Sequence, residues 1–212
     1  MGRSRHYIHP ANYATLESGD AVRAQTSKKD PTVRQAELLE SVSPTLIRAV
    51  IENAEVLLAN PESSEAVCEI LLHAKGRSSA FGPVADLVAA PYSKDHPIDR
   101  IFLNRALKRL IVDEWMRKDE VADDGAHFAP VLLERLSGRL ASYLPSYGGF
   151  IVLALLESPI TSAAVLAELT PQLAAIKKLG SQAAAIVARK IEDPSSINEK
   201  GGKKRKADGD DK

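Results

Sequence analysis

The sequence predicts an all-α protein built from stacked two-helix repeats, an α-solenoid. The segment from Phe150 to Leu156 is apolar on every side, as expected of a helix sandwiched between neighbours. The pattern around it recurs with Ser64, Arg100, Gly149 and Ala184 at equivalent positions, separated by 36, 49 and 35 residues. A repeat period of this size is typical of solenoids. No alternating strand pattern bounded by turns is present, which excludes a sheet.

Prolines after capping residues predict where the helices begin. Asp30-Pro31 starts a helix that should end near Ser41, and Ser43-Pro44 starts the next one. Asn60-Pro61 begins a third. The longer helices that follow are expected over Ile98–Met116, His127–Leu144, Tyr147–Glu157 and Gln182–Ile191. An acidic insertion, Asp113 to Gly125, accounts for the longest of the three repeat spacings.

Composition limits the kinds of protein that this chain can be. Its 212 residues carry 28 Lys and Arg against 28 Asp and Glu, so any attraction to nucleic acid must come from local patches. Cys68 is the only cysteine, which excludes an intramolecular disulfide and favours a reducing compartment. The most apolar stretch is far shorter than the roughly 20 residues that cross a bilayer. We therefore expect an intracellular protein that spans no membrane.

Patterns of catalytic and metal-binding residues are missing from the sequence. The histidines show no ligand spacing beyond His6-x-x-His9, and Gly148-Gly149 lacks the lysine and the preceding strand of a phosphate-binding loop. The acidic insertion lacks the spacing and terminal glutamate of a calcium loop. We therefore expect no catalytic residues, no metal site and no cofactor, and predict that the chain is not an enzyme.

The segment from Pro194 to Lys212 has a composition different from the rest. Ser, Asn, Gly, Lys and Asp dominate it, and it lacks the apolar residues that could offset its ordering entropy. A basic run is formed by Lys203, Lys204, Arg205 and Lys206. Two interpretations remain open for this run: a solvated disordered terminus, or a nuclear-targeting signal that import receptors recognise.

One group of motifs lies near the start of the predicted solenoid: Ser27-Lys-Lys-Asp30, Arg34, Glu37-Leu-Leu39 and Ser43-Pro44-x-Leu46. These residues resemble the entry to the CPL region of the Penguin/Puf-A proteins, the nucleolar branch of the Pumilio-like family. The four repeats resemble that family's degenerate C-terminal Pumilio repeats, and the likeness runs from about Tyr7 to Ile191. It implies a solenoid of Pumilio-like, armadillo-type repeats that binds RNA with little sequence preference. It also implies roles in large-subunit ribosome biogenesis and translational control, in the nucleus and nucleolus.

The resemblance also implies a domain organisation. Residues 1–26 would be the remnant of a preceding repeat with its linker, residues 27–193 the solenoid, and residues 194–212 a disordered tail. Family members carry further Pumilio repeats before this region, and Met1 falls inside what would be the last helix of one. We therefore expect the C-terminal part of such a protein, or a gene model with a late start, and expect it to be a monomer.

Pumilio repeats that read sequence place two or three side chains against each base. By alignment with the family pattern, these slots are Ser64, Glu65 and Cys68; Arg100, Ile101 and Asn104; Gly149, Phe150 and Leu153; and Ala184, Ala185 and Ala188. Only Arg100 with Asn104, and Phe150 as a stacking ring, have suitable chemistry, so we expect no base code. Phe150 could instead be a core ring, and its apolar neighbours favour that interpretation.

Binding to the sugar–phosphate backbone of RNA is still an available interpretation, because basic residues concentrate on the predicted Ile98–Met116 helix. The tentative RNA-binding set is Arg100, Asn104, Arg105, Lys108 and Arg109. Spacings of three to five residues keep much of this set on one broad face, which would attract phosphates in a salt-dependent way. The alternative is an ordinary solvated helix face. Lys177-Lys178 and Arg189-Lys190 have the same two interpretations, with the solvated face favoured more strongly.

Two classes of function therefore follow from the sequence. In the first, the chain binds RNA, pre-rRNA or mRNA, through the nucleic-acid backbone. In the second, it is a protein-interaction scaffold that docks ribosome-assembly proteins without direct RNA binding by this fragment. The feature that separates them is whether the basic residues converge on one face of the folded chain.

Overall fold

The computed structural model describes residues 30–116 and 125–197, and every regular element in these two ranges is helical. The prediction of an all-α fold is thereby confirmed. The chain divides into two compact units, Met1–Val42 and Ser43–Lys212. Of the first unit the structure describes residues 30–42, which are helical from Pro31 onward.

The described helices are numbered in chain order. The first five are α1 (Pro31–Leu57), α2 (Pro61–His73), α3 (Phe81–Asp86), α4 (Ile101–Met116) and α5 (Phe128–Leu136). The remaining five are α6 (Leu140–Tyr143), α7 (Gly149–Glu157), α8 (Ser162–Leu169), α9 (Leu173–Ile176) and α10 (Gln182–Glu192). Short 3₁₀ turns occupy Arg77–Ala80, Pro97–Asp99, Thr170–Gln172 and Pro194–Ile197.

Four helices of the second unit form its central row. Helix α4 packs between α2 and α7, and α7 packs in turn against α10. A second row contains the pairs α3–α5 and α6–α8. The central row consists of the four helices that carry the repeat pattern in the sequence. Helix α7 is buried on nearly every side, through Gly149, Ile151, Val152, Leu153, Ala154, Leu155 and Leu156.

The predicted break between the first two helices is absent. Pro44 lies inside α1, although a proline cannot donate the backbone hydrogen bond of its turn. Side-chain packing supports the helix here, because Ser43 is buried and its hydroxyl accepts from the backbone N–H of Lys75 at 3.0 Å. The departure from helical geometry comes later, at Asn53, with φ −131° and ψ 19°.

A break that the sequence did not predict divides the expected His127–Leu144 helix. Gly138, with φ 77°, separates α5 from α6, and this left-handed conformation favours glycine. The carboxylate of Glu168 on α8 accepts hydrogen bonds from the backbone N–H groups of Gly138 and Leu140, both at 2.8 Å. The start of α6 is therefore capped by a residue about 30 positions away, which local sequence patterns cannot reveal.

The glycines that open α7 serve close packing rather than unusual backbone angles. Gly148 has φ −55° and ψ −26°, a conformation that any residue adopts. A Cβ atom on Gly149 would lie 2.7 Å from the Cβ of Ala183 and 2.9 Å from the carbonyl oxygen of Leu144. Glycine at this position lets α7 approach α10 closely.

The folded part of the chain extends slightly beyond the predicted boundary at residue 193. The Pro194–Ile197 turn packs against α10, and Ile197 is buried. The ammonium group of Lys190 holds this turn by donating to the carbonyl oxygen of Ser196 at 2.8 Å. The basic run Lys203–Lys206 and most of the acidic insertion lie outside the described residues.

Candidate nucleic-acid interface

One side of α4 faces solvent and carries two basic residues. Buried positions alternate with exposed ones at helical spacing, so that Arg105 and Lys108 lie on the exposed side together with Ile101. The opposite side supplies Leu103, Ala106, Leu107, Leu110 and Ile111 to the core. We call Arg105 and Lys108 the basic face.

Arg105 lines a half-open cleft of about 260 Å³ between α2 and α4. Glu62 and Glu65 line the α2 side of this cleft, and Phe102 and Arg109 line the α4 side. Arg105 makes no ion pair with any residue that the structure describes. Its guanidinium group is therefore open to an anion from solution, although the two glutamates oppose anions on the α2 side.

Lys108 lies next to the only aromatic slot among the predicted base-contacting positions. Its ammonium nitrogen is 5.6 Å from the centroid of the Phe150 ring, within range of a cation–π interaction. Phe150 is half-buried and packs against the core. The interpretation of Phe150 as a core ring therefore agrees with its packing, but the ring is not fully buried and lies at the boundary between core and surface.

Two arginines of the predicted set have acidic partners. Arg109 pairs with Glu69 of α2 and with Asp113, at 3.2 Å, and only 28% of its side chain is exposed. Arg100 precedes α4 in an extended conformation rather than lying on the helix, and its guanidinium group is 2.9 Å from the carboxylate of Glu55. Both charges are compensated locally, Arg109 more completely because its partners are less solvated.

Asn104 does not face solvent, so its predicted place in the RNA-binding set needs correction. The residue is 8% exposed, and its amide nitrogen donates to the carbonyl oxygens of Ile98 at 2.8 Å and Tyr147 at 3.1 Å. Both amide hydrogens are therefore used within the protein. Asn104 connects α4 to the residues that lead into α7.

A second contact holds the same two helices together. The carboxylate of Asp99 accepts from the backbone N–H of Gly148 at 2.9 Å and from the hydroxyl of Tyr92 at 2.8 Å. With the Asn104 amide, it fixes the segment before α7 against the start of α4. Hydrogen bonds between neighbouring repeats thus hold together the two helices that carry Lys108 and Phe150.

The base-contacting slots on α2 are mostly turned inward. Ser64 is buried and its hydroxyl donates to the carbonyl oxygen of Pro61 at 2.8 Å. Cys68 is also buried, and burial raises the pKa of its thiol to about 12, so it stays protonated near neutral pH. Glu65 is the slot on this helix that remains exposed.

The basic residues Lys177, Lys178, Arg189 and Lys190 likewise divide into those that have acidic partners and those that are exposed without one among the described residues. Lys190 is buried and its ammonium group lies 3.2 Å from the carboxylate of Glu157, so it has a structural role. Lys177 pairs with Glu192 at 2.5 Å. Lys178 and Arg189 are exposed, and neither forms an ion pair with residues of the described ranges.

Tyr147 is an exposed residue outside the predicted RNA-binding set. It precedes the buried helix α7, yet 68% of its surface is accessible. The sequence predicts Tyr147 as the first residue of a helix, but the helix begins at Gly149, and periodicity does not define the direction of a side chain just outside a helix. Like Phe150, one turn later, Tyr147 is an aromatic residue close to α4, since its carbonyl oxygen accepts from Asn104.

No helix of the described residues is long and apolar enough to cross a membrane. Within the same residues, no group of three or more His, Cys, Asp or Glu side chains is placed to hold a metal ion.

Comparisons with known proteins identify relatives that are considerably longer. The chain is 29% identical over 158 residues to Pumilio homology domain family member 6 of Schizosaccharomyces pombe, and 30% identical over 141 residues to Pumilio homolog 3 of Danio rerio. These matches cover 72% and 63% of the chain but only 25% and 22% of the two relatives. The chain thus spans about a quarter of the length of these proteins.

Solved structures and a family model agree with these matches. Human Puf-A is similar with a TM-score of 0.71 and 25% identity, over 86% of this chain and 37% of that one. Human Puf-A in complex with DNA gives a TM-score of 0.75 and 26% identity, over 88% and 36%. The CPL (NUC119) domain model matches residues 1–121. Because that model covers more than half of the sequence, the chain belongs to the CPL domain family of Puf-A-type Pumilio proteins.

Proposed function

We propose that this chain binds RNA through the sugar–phosphate backbone, with little sequence preference, at the basic face. The observation that carries the proposal is the exposure of Arg105 and Lys108 without acidic partners among the described residues. The family is a non-enzymatic, nucleic-acid-binding one, and its member human Puf-A has been crystallised with DNA. These relatives support the assignment of the ligand class.

The chemistry of the two side chains suits phosphate rather than base edges. The guanidinium group of Arg105 can donate two parallel hydrogen bonds to a phosphate, whereas the ammonium group of Lys108 acts as a point charge. The interaction of Lys108 with Phe150 orients its ammonium beside α7. Phosphate contacts carry no sequence information, so such a face binds unrelated RNAs with similar affinity.

The experiment is an affinity titration of the double variant Arg105→Glu/Lys108→Glu against several unrelated RNAs. We expect binding to all of them to weaken by a similar factor, because the same backbone contacts are lost in each case. The matched control is Arg48→Glu/Lys94→Glu, which changes the net charge equally at exposed residues that do not belong to α4. Equal affinity of the double variant and wild type would contradict the proposal.

We further propose that this RNA binding serves large-subunit ribosome biogenesis and translational control in the nucleolus. The resemblance to the nucleolar branch of the Pumilio-like family supports this role, and so does the basic run Lys203–Lys206, read as a nuclear-targeting signal. Pre-rRNA is then the first ligand to test, with mRNA as the second.

A protein-interaction scaffold is the second candidate function. The observation that favours it is the pair of exposed carboxylates on α2, Glu62 and Glu65, which make no ion pair with the described residues. Such a surface repels phosphate and suits a basic segment of an assembly protein. If wild-type protein binds no RNA in the titration above, this candidate replaces the first one.

A further inference from the structure

Tyr147 combines high exposure with a fixed position. Tyr147 is a large residue that is 68% exposed, whereas the helix that follows it is buried on nearly all sides. An exposed aromatic ring of this kind offers an open π face to a ligand. Its hydroxyl group can stay in water, because a phenol has an apolar body and a polar tip.

The backbone of Tyr147 is held from two directions. Its carbonyl oxygen accepts from the side-chain amide of Asn104 at 3.1 Å and from the backbone N–H of Phe150 at 3.0 Å. The next residue, Gly148, is fixed by the carboxylate of Asp99 at 2.9 Å. The ring therefore starts from a rigid point, so that little conformational entropy remains to be lost at the backbone when a ligand binds.

The backbone of Tyr147 contacts α4, the helix that carries both an exposed apolar residue and the basic face. Ile101, 55% exposed, lies one helical turn before the Asn104 that contacts the Tyr147 backbone. The basic face continues from Ile101 along the exposed side of α4. Phe150 is the less available ring, because it is half-buried and has the Lys108 ammonium 5.6 Å from its centroid.

From this arrangement we propose that Tyr147 is a stacking platform for one unpaired RNA base. The inference rests on the proposed function and extends it, since it names the class of RNA that this surface prefers. Phosphates contact Arg105 and Lys108, while the base stacks on Tyr147. Stacking on an aromatic side chain accepts any base, which agrees with a surface that reads no sequence.

The platform distinguishes single-stranded from double-stranded RNA. A base inside a duplex is already stacked between its neighbours and cannot reach a protein ring without unpairing. The basic face, in contrast, attracts the phosphates of both forms. Removal of the Tyr147 ring should therefore weaken binding to single strands only, whereas charge reversal of the basic face should weaken both.

The test measures the affinity of an unstructured RNA and of the blunt duplex of the same sequence. We expect Tyr147→Ala to lower affinity for the single strand about 5- to 150-fold and to leave duplex affinity unchanged. Tyr147→Phe should keep wild-type binding, and Tyr147→Leu, which retains an apolar side chain without a π face, should behave like the alanine variant. Ile160→Ala removes another exposed apolar side chain and serves as the control.

A second readout locates the base directly. Ultraviolet irradiation of wild-type protein with single-stranded RNA that contains thiouridine should crosslink the peptide that carries Tyr147. Equal weakening of single strand and duplex by Tyr147→Ala would overturn the inference, because the ring would then support the fold. Unchanged single-strand affinity would overturn it as well. Failure of the wild-type protein to bind either RNA would instead remove the proposed function itself.

Discussion

At the scale of single residues, the presence or absence of an acidic partner gives two arginines of the same helix different roles. Arg105 and Arg109 lie one turn apart on α4, but Arg109 is paired with Glu69 and Asp113, whereas Arg105 has no ion pair in the described residues. A phosphate that approached Arg109 would have to compete with two carboxylates. Exposure and the absence of acidic partners thus reduce the predicted set of phosphate-binding residues to Arg105 and Lys108.

Substitution of each arginine separately should distinguish the two roles. We expect Arg109→Gln to lower the free energy of unfolding by about 1 kcal/mol, because two partly buried ion pairs are lost, with a smaller effect on RNA binding. Arg105→Gln should change stability by less than about 0.5 kcal/mol and should weaken RNA binding. Urea denaturation beside an RNA titration measures both quantities, and the opposite assignment of effects would contradict this division.

A substitution of Asn104 tests whether its role is structural. Asn104→Ala removes the donors for the carbonyl oxygens of Ile98 and Tyr147, and an unsatisfied buried group costs about 1–3 kcal/mol. We therefore expect a lower free energy of unfolding. Unchanged stability of Asn104→Ala in urea denaturation would contradict this structural role.

The residue types could be predicted from the sequence, but their partners could not. Arg109 donates a hydrogen bond to Glu69, and Asn104 donates one to the carbonyl oxygen of Tyr147, each about 40 positions away in the chain. Such contacts depend on how neighbouring repeats stack, and one sequence does not give that geometry. Periodicity correctly placed Arg105 and Lys108 on the exposed side of α4 because that property is local.

At the scale of helices, boundaries follow packing and distant caps as well as local signals. Asp30-Pro31 does begin α1, and the Asp30 carboxylate accepts from the backbone N–H of Thr32 at 2.8 Å. Pro44 was expected to begin a helix but lies inside one, whereas Gly138 ends a helix that was expected to continue. In both cases the chain makes a contact with a distant residue, Ser43 with Lys75 and Gly138 with Glu168, that the local signal does not contain.

Glu168 should be a measurable helix cap. Its carboxylate accepts from the backbone N–H groups of Gly138 and Leu140, so Glu168→Ala leaves two donors at the start of α6 without this partner. We expect a loss of about 0.5–2 kcal/mol in the free energy of unfolding. Glu134→Ala, at an exposed residue of α5, is the control and should have little effect. Equal stability of the two variants would contradict the capping role.

At the scale of the whole molecule, charge is balanced in total but distributed unevenly. Glu62, Glu65 and Glu69 lie on α2, whereas Arg105 and Lys108 lie on the facing helix of the next repeat. With no net field, attraction of RNA must act locally and should be lost readily as salt rises. The repeat period and the apolar α7 were sufficient to predict the fold, because both are properties of the sequence alone.

The basic tail can be tested independently of the fold. Deletion of residues 198–212 keeps Ile197 and the contact of Lys190 with Ser196, so the melting temperature should not change. If Lys203–Lys206 is a nuclear-targeting signal, a tagged protein should shift toward the cytoplasm. A large tag is needed, because the chain has a mass of only 22.9 kDa and could diffuse into the nucleus. Unchanged nucleolar location would contradict the signal.

The salt dependence of RNA affinity tests the central claim, backbone binding at the basic face, most directly. The slope of log K against log salt counts the counterions that bound protein displaces, with about 0.7 per phosphate contact on a single strand. Loss of two contacts in Arg105→Glu/Lys108→Glu should therefore reduce the magnitude of the slope by about 1.4 relative to wild type. The Arg48→Glu/Lys94→Glu control should keep the wild-type slope. An identical slope in all three proteins would show that Arg105 and Lys108 do not contact phosphate.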